Sequence, residues 1–419
     1  MIKGYIHPGF SSVAHTLAKQ LPKNGIGGAA VSVYFKGRQV VDIWGGTQNR
    51  EGRPWERDTL ALSFSTTKGI MSTLIHILVD EGLADYDDPV CKHWPEFGKN
   101  GKEKITIRQA MSHEAGIYNF SDAVDDFHDI YDWQKMLDAT AAMRPVHEPG
   151  KANGYHTINY GFLTGGIIEG ITGKSFQEVL EEKLVQPLDL DGLYIGLPEK
   201  EHHRAAKLIT LDGKFKLPDV SKNMASTIGF NSSALILRLL GVNISEILRT
   251  VPKTKNPVDL NSAEAVSAKI PGANGMFTAR SLSKMYAAIA NGGELDGVRI
   301  LSRNRTRIME LVQNRRFDRI IPIPVHWRLG YHRIFGVGAD VSRAFGHCGF
   351  GGSGAWCDPS RNLSMAMTLN SGLGTPIGDS RILFMSRAVM KCVTDIEKSG
   401  SFDPGFIPES MSSAETVIS

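Results

Sequence analysis

Ser65 and Lys68 open the stretch 61-ALSFSTTKGIMSTLIHILVDEG-82. A helix rises about 1.5 Å per residue and turns once in 3.6, so residues three apart share a face one turn apart. A hydroxyl and an amine in that relation are the parts of a nucleophile with its base. Free lysine is too strongly protonated for the task, with a pKa of about 10.4. Burial beside Ile70, Met71 and Leu74 would disfavour the ammonium and release a neutral amine to take the serine proton. The helix start adds unpaired N–H groups and the positive end of the dipole, which favour a developing oxyanion. A simpler role for Ser63 or Ser65 is to cap the helix.

Two later strings can complete such a site. In 147-HEPGKANGYHTINYGFLTGGIIEGITGKSF-176 a Pro-Gly turn leads into a loop bearing Tyr155, then a helix. A phenol at a domain edge can act as general base or proton shuttle once a nearby cation lowers its pKa. His156 ranks lower, because adjacent residues ahead of a helix point in different directions. In 344-AFGHCGFGGSGAWCDPSRNLSMAM-367 His347 precedes a glycine-rich strand, where a ligand or another backbone approaches closely. The N–H of Phe350 or a neighbour, with that of Ser65, would make an oxyanion hole.

Several strings are decoys. Gly349, Gly351 and Gly354 fit G-x-G-x-x-G, but in a strand-turn-strand context. Ser353 falls in a near match to G-x-S-x-G whose fifth residue is Ala355, with no strand-to-helix elbow. His113-Glu114 lacks the second histidine of a zinc helix, and 253-KTK-255 is set among proline and charge.

The surrounding pattern indicates what positions these residues. Residues 10–21 have helical spacing, and 28–46 reads as a hairpin turning at Lys36-Gly37. Helices are expected at Thr106–Met111, Met136–Met143, Tyr160–Gly170, Phe176–Leu184, 231–251 and Ala279–Ala290. Strands are expected at 342–348, 351–357 and 362–370, and a long amphipathic helix at about Gly378–Ile396. Strands at both chain ends with helices between them predict an α+β fold: one antiparallel sheet flanked by helices, with a mainly helical insertion. The expected division is a discontinuous sheet domain of 1–85 and 270–399, an inserted domain of 86–269, and a tail of 400–419.

Composition narrows the function. The chain has 419 residues, 42% hydrophobic and 22% charged, with a net charge of +3. That is an ordinary globular balance, with no basic-aromatic runs to suggest nucleic acid. No apolar run reaches the roughly 20 residues of a membrane span. The four cysteines form no CxxC pair, and the N-terminus has no signal-peptide pattern, so a reduced, cytoplasmic protein is expected. No metal or organic cofactor is expected. Oligomeric state is not legible.

Taken in order, the strings resemble the serine β-lactamase and penicillin-binding-protein superfamily, above all the class C β-lactamases and family VIII carboxylesterases. Ser65-Thr66-Thr67-Lys68 resembles the S-x-x-K box, and Tyr155-His156-Thr157 stands where the family has Y-x-N. His347-Cys348-Gly349 stands where it has K-T-G or H-x-G. TIRQAMSHEAGI (106–117) and ANGMFTARSLSKMYAAIANGGELDGVRILS (273–302) are similar to flanking family strings. The resemblance implies Ser65 as acylated nucleophile, Lys68 as its activator and Tyr155 as base and as acid to the leaving group. It also implies Ser65 and Phe350 as oxyanion donors, and His347, Gly349 and Thr157 at the substrate. Thr157 offers no amide, and with His347 the fixed cation that meets a β-lactam carboxylate is gone or pH-dependent. Both departures suit short-chain neutral esters. The expectation is therefore a serine carboxylesterase acting on a small ester or amide. A β-lactamase, a D-amino peptidase or an acyltransferase are the alternatives of the same class, and a catalytically silent binding protein on this fold is the alternative of another class.

Overall fold

The computed structural model describes residues 1–209, 244–321, 323–335, 341–372, 380–400, 402–403 and 415–418. Its main sheet grows from the predicted hairpin. After β1 (Ile2–Ile6) come β2 (Gly28–Phe35) and β3 (Arg38–Gly46). Lys36 and Gly37 both take positive φ, 51° and 76°, as a two-residue I′ turn requires.

A small sheet joins β4 (Ala61–Leu62), β5 (Leu193–Ile195) and β6 (Gly275–Phe277), and β7 (Glu294–Leu295) with β8 (Val298–Arg299) is a separate ribbon. The late strands are β9 (His332–Arg333), β10 (Phe345–Cys348), β11 (Gly354–Asp358), β12 (Leu363–Leu369) and β13 (Glu415–Ile418). Among the described residues the main sheet has eight strands, ordered β13-β1-β3-β2-β12-β11-β10-β9, and its pairs are antiparallel. Both chain ends thus supply one sheet, as the strand distribution predicts.

Strand side chains alternate between faces, and each face has its own cover. Val31 and Val33 of β2 and Met365 and Met367 of β12 join one core with Val13 and Leu17 of α1 (Ser11–Gln20), and with Met385 and Val389 of the closing helix Ser380–Ser399. The opposite face carries small residues against the helix Ala279–Ala290. Ser283 Oγ donates to Ser32 Oγ (2.7 Å), and Ser364 Oγ donates to Ser283 O (2.8 Å).

Helix α2 (Thr67–Asp80) is buried from Thr67 through Val79, which explains its apolar residues on every side. α3 (Ile107–Met111) starts with a capping box between Thr106 and Gln109. α4 (Trp133–Ala142) and α5 (Asn159–Thr172) follow, and α5 packs on α2, α3 and α4. Among the described residues no helix is long and apolar enough to cross a membrane.

Some expected boundaries move. The strand foreseen at 342–348 starts only at Phe345, because 342–343 form a turn, and that foreseen at 351–357 starts at Gly354, because residues 349–353 connect β10 to β11. The helix foreseen at Phe176–Leu184 is α-helical through Leu180 and then widens into a π turn, Glu181–Val185. Of the helix foreseen at 231–251, residues 231–243 lie outside the described residues, and Ile244–Leu248 is helical. The stretch expected as a tail contributes β13, which pairs with an unforeseen β1, Ile2 facing Ile418. Thr416, Val417 and Ile418 are β-branched, a local preference that only a partner strand can realise.

Candidate active site

Ser65 lies in a tight turn ahead of α2. Phe64, the residue before it, takes φ 45°, a left-handed conformation that is strained for an aromatic residue by roughly 1–3 kcal/mol. Neighbouring strands enforce it. The Ser63 N–H donates to Gly275 O (2.8 Å), and Thr67 Oγ1 accepts from the Gly275 N–H (3.0 Å) while donating to Phe64 O. The N–H groups of Thr66, Thr67 and Lys68 are used by the carbonyls of Ser63, Phe64 and Ser65. Among the described residues no protein acceptor faces the Ser65 N–H. The capping role fails for both serines: the N-cap is Thr66, without a side-chain bond, and Ser63 Oγ donates to Ala61 O.

Lys68 is fully buried. Its Nζ donates to Thr157 O and to Gly272 O, each at 2.6 Å, and lies 3.1 Å from Ser65 Oγ. A neutral amine has two N–H donors and one lone pair. Two carbonyls satisfy the donors, which leaves the lone pair for the serine O–H. Burial holds the Lys68 pKa well below its usual value, and no carboxylate pairs with it among the described residues. The carbonyl clamp depends on glycines. A Cβ on Gly161 would stand 2.0 Å from Gly272 N, and one on Gly272 would stand 2.2 Å from Ile158 O. Only their absence lets the start of α5 meet residues 271–272.

Tyr155 is buried, and its ring lies 5.0 Å from Lys68 Nζ. It stacks on Trp327, with centroids 5.5 Å apart and planes 5° apart, and meets His113 at 5.0 Å. Burial drives its pKa up. Interaction with the Ser65 hydroxyl pulls it back in part, and the charge of Asp318 pushes it further up. The expectation of a phenol acidified by a nearby cation is therefore corrected: burial outweighs the other influences on the ring, and Tyr155 rests as an O–H.

His347 is also buried, beside Tyr155, with ring centroids 6.2 Å apart. Its Nδ1–H donates to Cys348 O (2.9 Å), and its Nε2 has no partner among the described residues. Burial, then the nearby His332 and Lys68, hold its pKa well below the histidine range. Of the two expectations for this position, the cation is gone: the ring is a neutral acceptor. His332 pins the strand from the other side, its Nε2 accepting the Cys348 N–H at 3.0 Å.

The remaining expected residues gather around the Ser65 turn. Gly349 approaches it so closely that a Cβ would lie 2.3 Å from Ser63 O. Ser353 is buried and its Oγ donates to Ser63 O (2.8 Å), so it ties the β10–β11 turn to the nucleophile turn. Phe350 packs edge-on against Phe64 at 5.7 Å. Thr157 meets Lys68 through its carbonyl rather than its side chain. His156 turns away, its Nδ1 3.1 Å from that of His113.

Sequence reasoning missed Gly272, His113 and Asp318. His113 was weighed only as a metal ligand. The Pro-Gly pair at 271–272 was the one local sign of close backbone approach. Among the described residues no group of His, Cys, Asp and Glu is arranged to hold a metal ion.

Known proteins resemble this chain in sequence and in fold. A family model described as beta-lactamase matches residues 13–389. "Esterase/beta-lactamase LipL" of Mycobacterium tuberculosis is 38% identical over 374 residues, 88% of this chain and 82% of that protein. The crystal structure of a family VIII carboxylesterase is 32% identical with a TM-score of 0.79, covering 94% of this chain and 100% of that one. A penicillin-binding protein homologue from Caulobacter crescentus is 32% identical with a TM-score of 0.78, at the same coverage. By family model, sequence and fold together, the chain belongs to the beta-lactamase family.

Proposed function

We propose that this protein is a serine hydrolase that cleaves neutral carboxylic esters with short acyl chains through an acyl-enzyme on Ser65. The observation that carries the proposal is the Lys68 amine, held by two carbonyls with its remaining valence toward Ser65 Oγ. Lys68 takes the serine proton as Oγ attacks the ester carbonyl. The N–H groups of Ser65 and Phe350 receive the oxyanion. Tyr155 gives its proton to the leaving alkoxide and regains one from Lys68. Water then repeats the sequence against the acyl group.

Esters are preferred to β-lactams because His347 is a neutral acceptor where a lysine would meet the lactam carboxylate. The side chains of Ile247, Ile321 and Ile323, partly exposed beside the cluster containing Tyr155, suit a short hydrocarbon. β-Lactam hydrolysis is the second reading, favoured by the names of LipL and of the family. Residues 86–269 are taken as a helical unit inserted into the sheet unit of 1–85 and 270–399, with α2 packed between them. A reducing cytoplasm is taken as the compartment, in keeping with four free cysteines.

The test is covalent labelling with a fluorophosphonate, read by intact mass, beside turnover of graded p-nitrophenyl esters and nitrocefin. Wild type should gain one adduct and favour short esters, and Ser65→Ala should gain none and lose at least about 10⁴-fold in kcat. Labelling and turnover that survive Ser65→Ala would sink the proposal. Nitrocefin turnover rivalling the esters would select the second reading.

A further inference from the structure

Asp318 belongs to none of the strings that mark the site, yet it is a buried carboxylate, 4% exposed. Among the described residues no lysine, arginine or histidine pairs with it. Five N–H groups converge on it instead. Oδ1 accepts from the backbone of Tyr155 (3.0 Å), Ile320 (2.9 Å) and Ile321 (3.0 Å). Oδ2 accepts from the Trp327 indole (2.8 Å) and the Asn153 amide (3.1 Å). An ionised carboxylate only accepts, and a cradle of donors alone is the surrounding that satisfies one.

Three of those donors lead to one side chain. One is the N–H of Tyr155 itself. Asn153 lies two residues before it in the same loop. Trp327 lies flat against its ring. Asp318 therefore grips the phenol's main chain with one oxygen and its stacking partner with the other. A loop pin with no catalytic bearing would need only the Ile320 and Ile321 bonds, which close the turn after Asp318.

We propose that Asp318 is the positioning residue for Tyr155, an anionic anchor that fixes the tyrosine backbone and the Trp327 ring and so holds the phenol oxygen at Ser65. This rests on the proton-carrying role proposed for Tyr155. Displacing a reacting group by about 1 Å lowers rates roughly 100-fold, so the anchor acts on turnover rather than on substrate affinity.

The experiment is a double-mutant cycle on the full chain with p-nitrophenyl acetate. Asp318→Asn turns one acceptor into a donor facing donors. It should lower kcat by roughly 30- to 100-fold with KM within about 2-fold. In a Tyr155→Phe background the same change should move kcat by less than about 2-fold, because the group being positioned is gone. Losses that multiply in the double variant, or an Asp318→Asn protein with wild-type kcat, overturn the anchor. Near-wild-type turnover by Tyr155→Phe alone overturns the role of the phenol, and the anchor with it. If Asp318→Asn does not fold, Trp327→Phe removes one bond and keeps a stacking ring. It should lower kcat by about 5-fold in wild type and leave it unchanged in Tyr155→Phe. Equal losses in both backgrounds overturn the proposal.

Discussion

Among the described residues two lysines are buried, and they differ in one ligand. Lys102 Nζ donates to three carbonyls, those of Lys99 (2.8 Å), Ala141 (2.9 Å) and Met143 (2.6 Å). Two of these end α4, where the dipole favours a cation. Lys68 has two carbonyls and, in the third place, a hydroxyl. Three acceptors suit an ammonium, whereas two acceptors and a hydroxyl suit an amine. Burial, then the charge of Lys99, bring Lys102 down to about 8, so it keeps its proton at neutral pH. Lys68 lies well below its usual value. Burial makes both lysines weaker acceptors of charge, and the third ligand decides which one can serve as a base.

Exchanging each lysine for methionine separates the two roles. Lys68→Met should keep the fold and lose roughly 10²- to 10⁴-fold in kcat/KM for a short ester, the usual contribution of a general base. Lys102→Met should keep kcat and lose roughly 3 kcal/mol of stability in urea, since it strands carbonyls. Equal loss of activity in both would erase the distinction.

Protons test the same contrast. Ester turnover needs neutral Lys68, so kcat/KM should rise with pH through its lowered pKa. A limb centred at or above about 10 would mean an ordinary, hydrated lysine. The buried histidines act on stability instead. Burial lowers His332 to about 4 and His156 to about 3. The unfolded chain protonates these rings below about pH 6.5 while the folded chain does not. Stability should therefore be complete above that pH and fall between it and pH 4, by roughly 3 kcal/mol for His332 alone. Urea midpoints unchanged between pH 7 and 4.5 would contradict this. The smallest effect concerns the clamp. Gly272→Ala drives a Cβ toward Ile158 O and should cost about 1–3 kcal/mol, with turnover reduced because Lys68 loses its alignment.

What the sequence could reveal depended on the distance between partners. Ser65 and Lys68 are one helical turn apart, so spacing alone exposes them, and the I′ hairpin is written in Lys36-Gly37. Tyr155 needed the wider family pattern, because nothing local aims a phenol at a serine 90 residues away. Asp318 was invisible, since its meaning lies in five donors drawn from distant loops. Thr157 and Gly272 were misjudged or missed for another reason. Their contribution is a carbonyl, which every residue owns, and only the backbone path decides where it points. The depressed basicity of His347 and the raised pKa of Tyr155 also needed coordinates, because burial is a property of the assembled fold.

The two-carbonyl clamp has a consequence for the end of each catalytic cycle. Hydrolysis leaves a carboxylic acid beside an amine that, among the described residues, has no anionic partner of its own. A departing carboxylate that lingers would draw a proton onto Lys68 and hold it there, so the enzyme would be idled by its own product until that ion escapes. Departure of the acid and restoration of the base then become a single event, and acetate added from outside should inhibit more strongly as the medium is acidified.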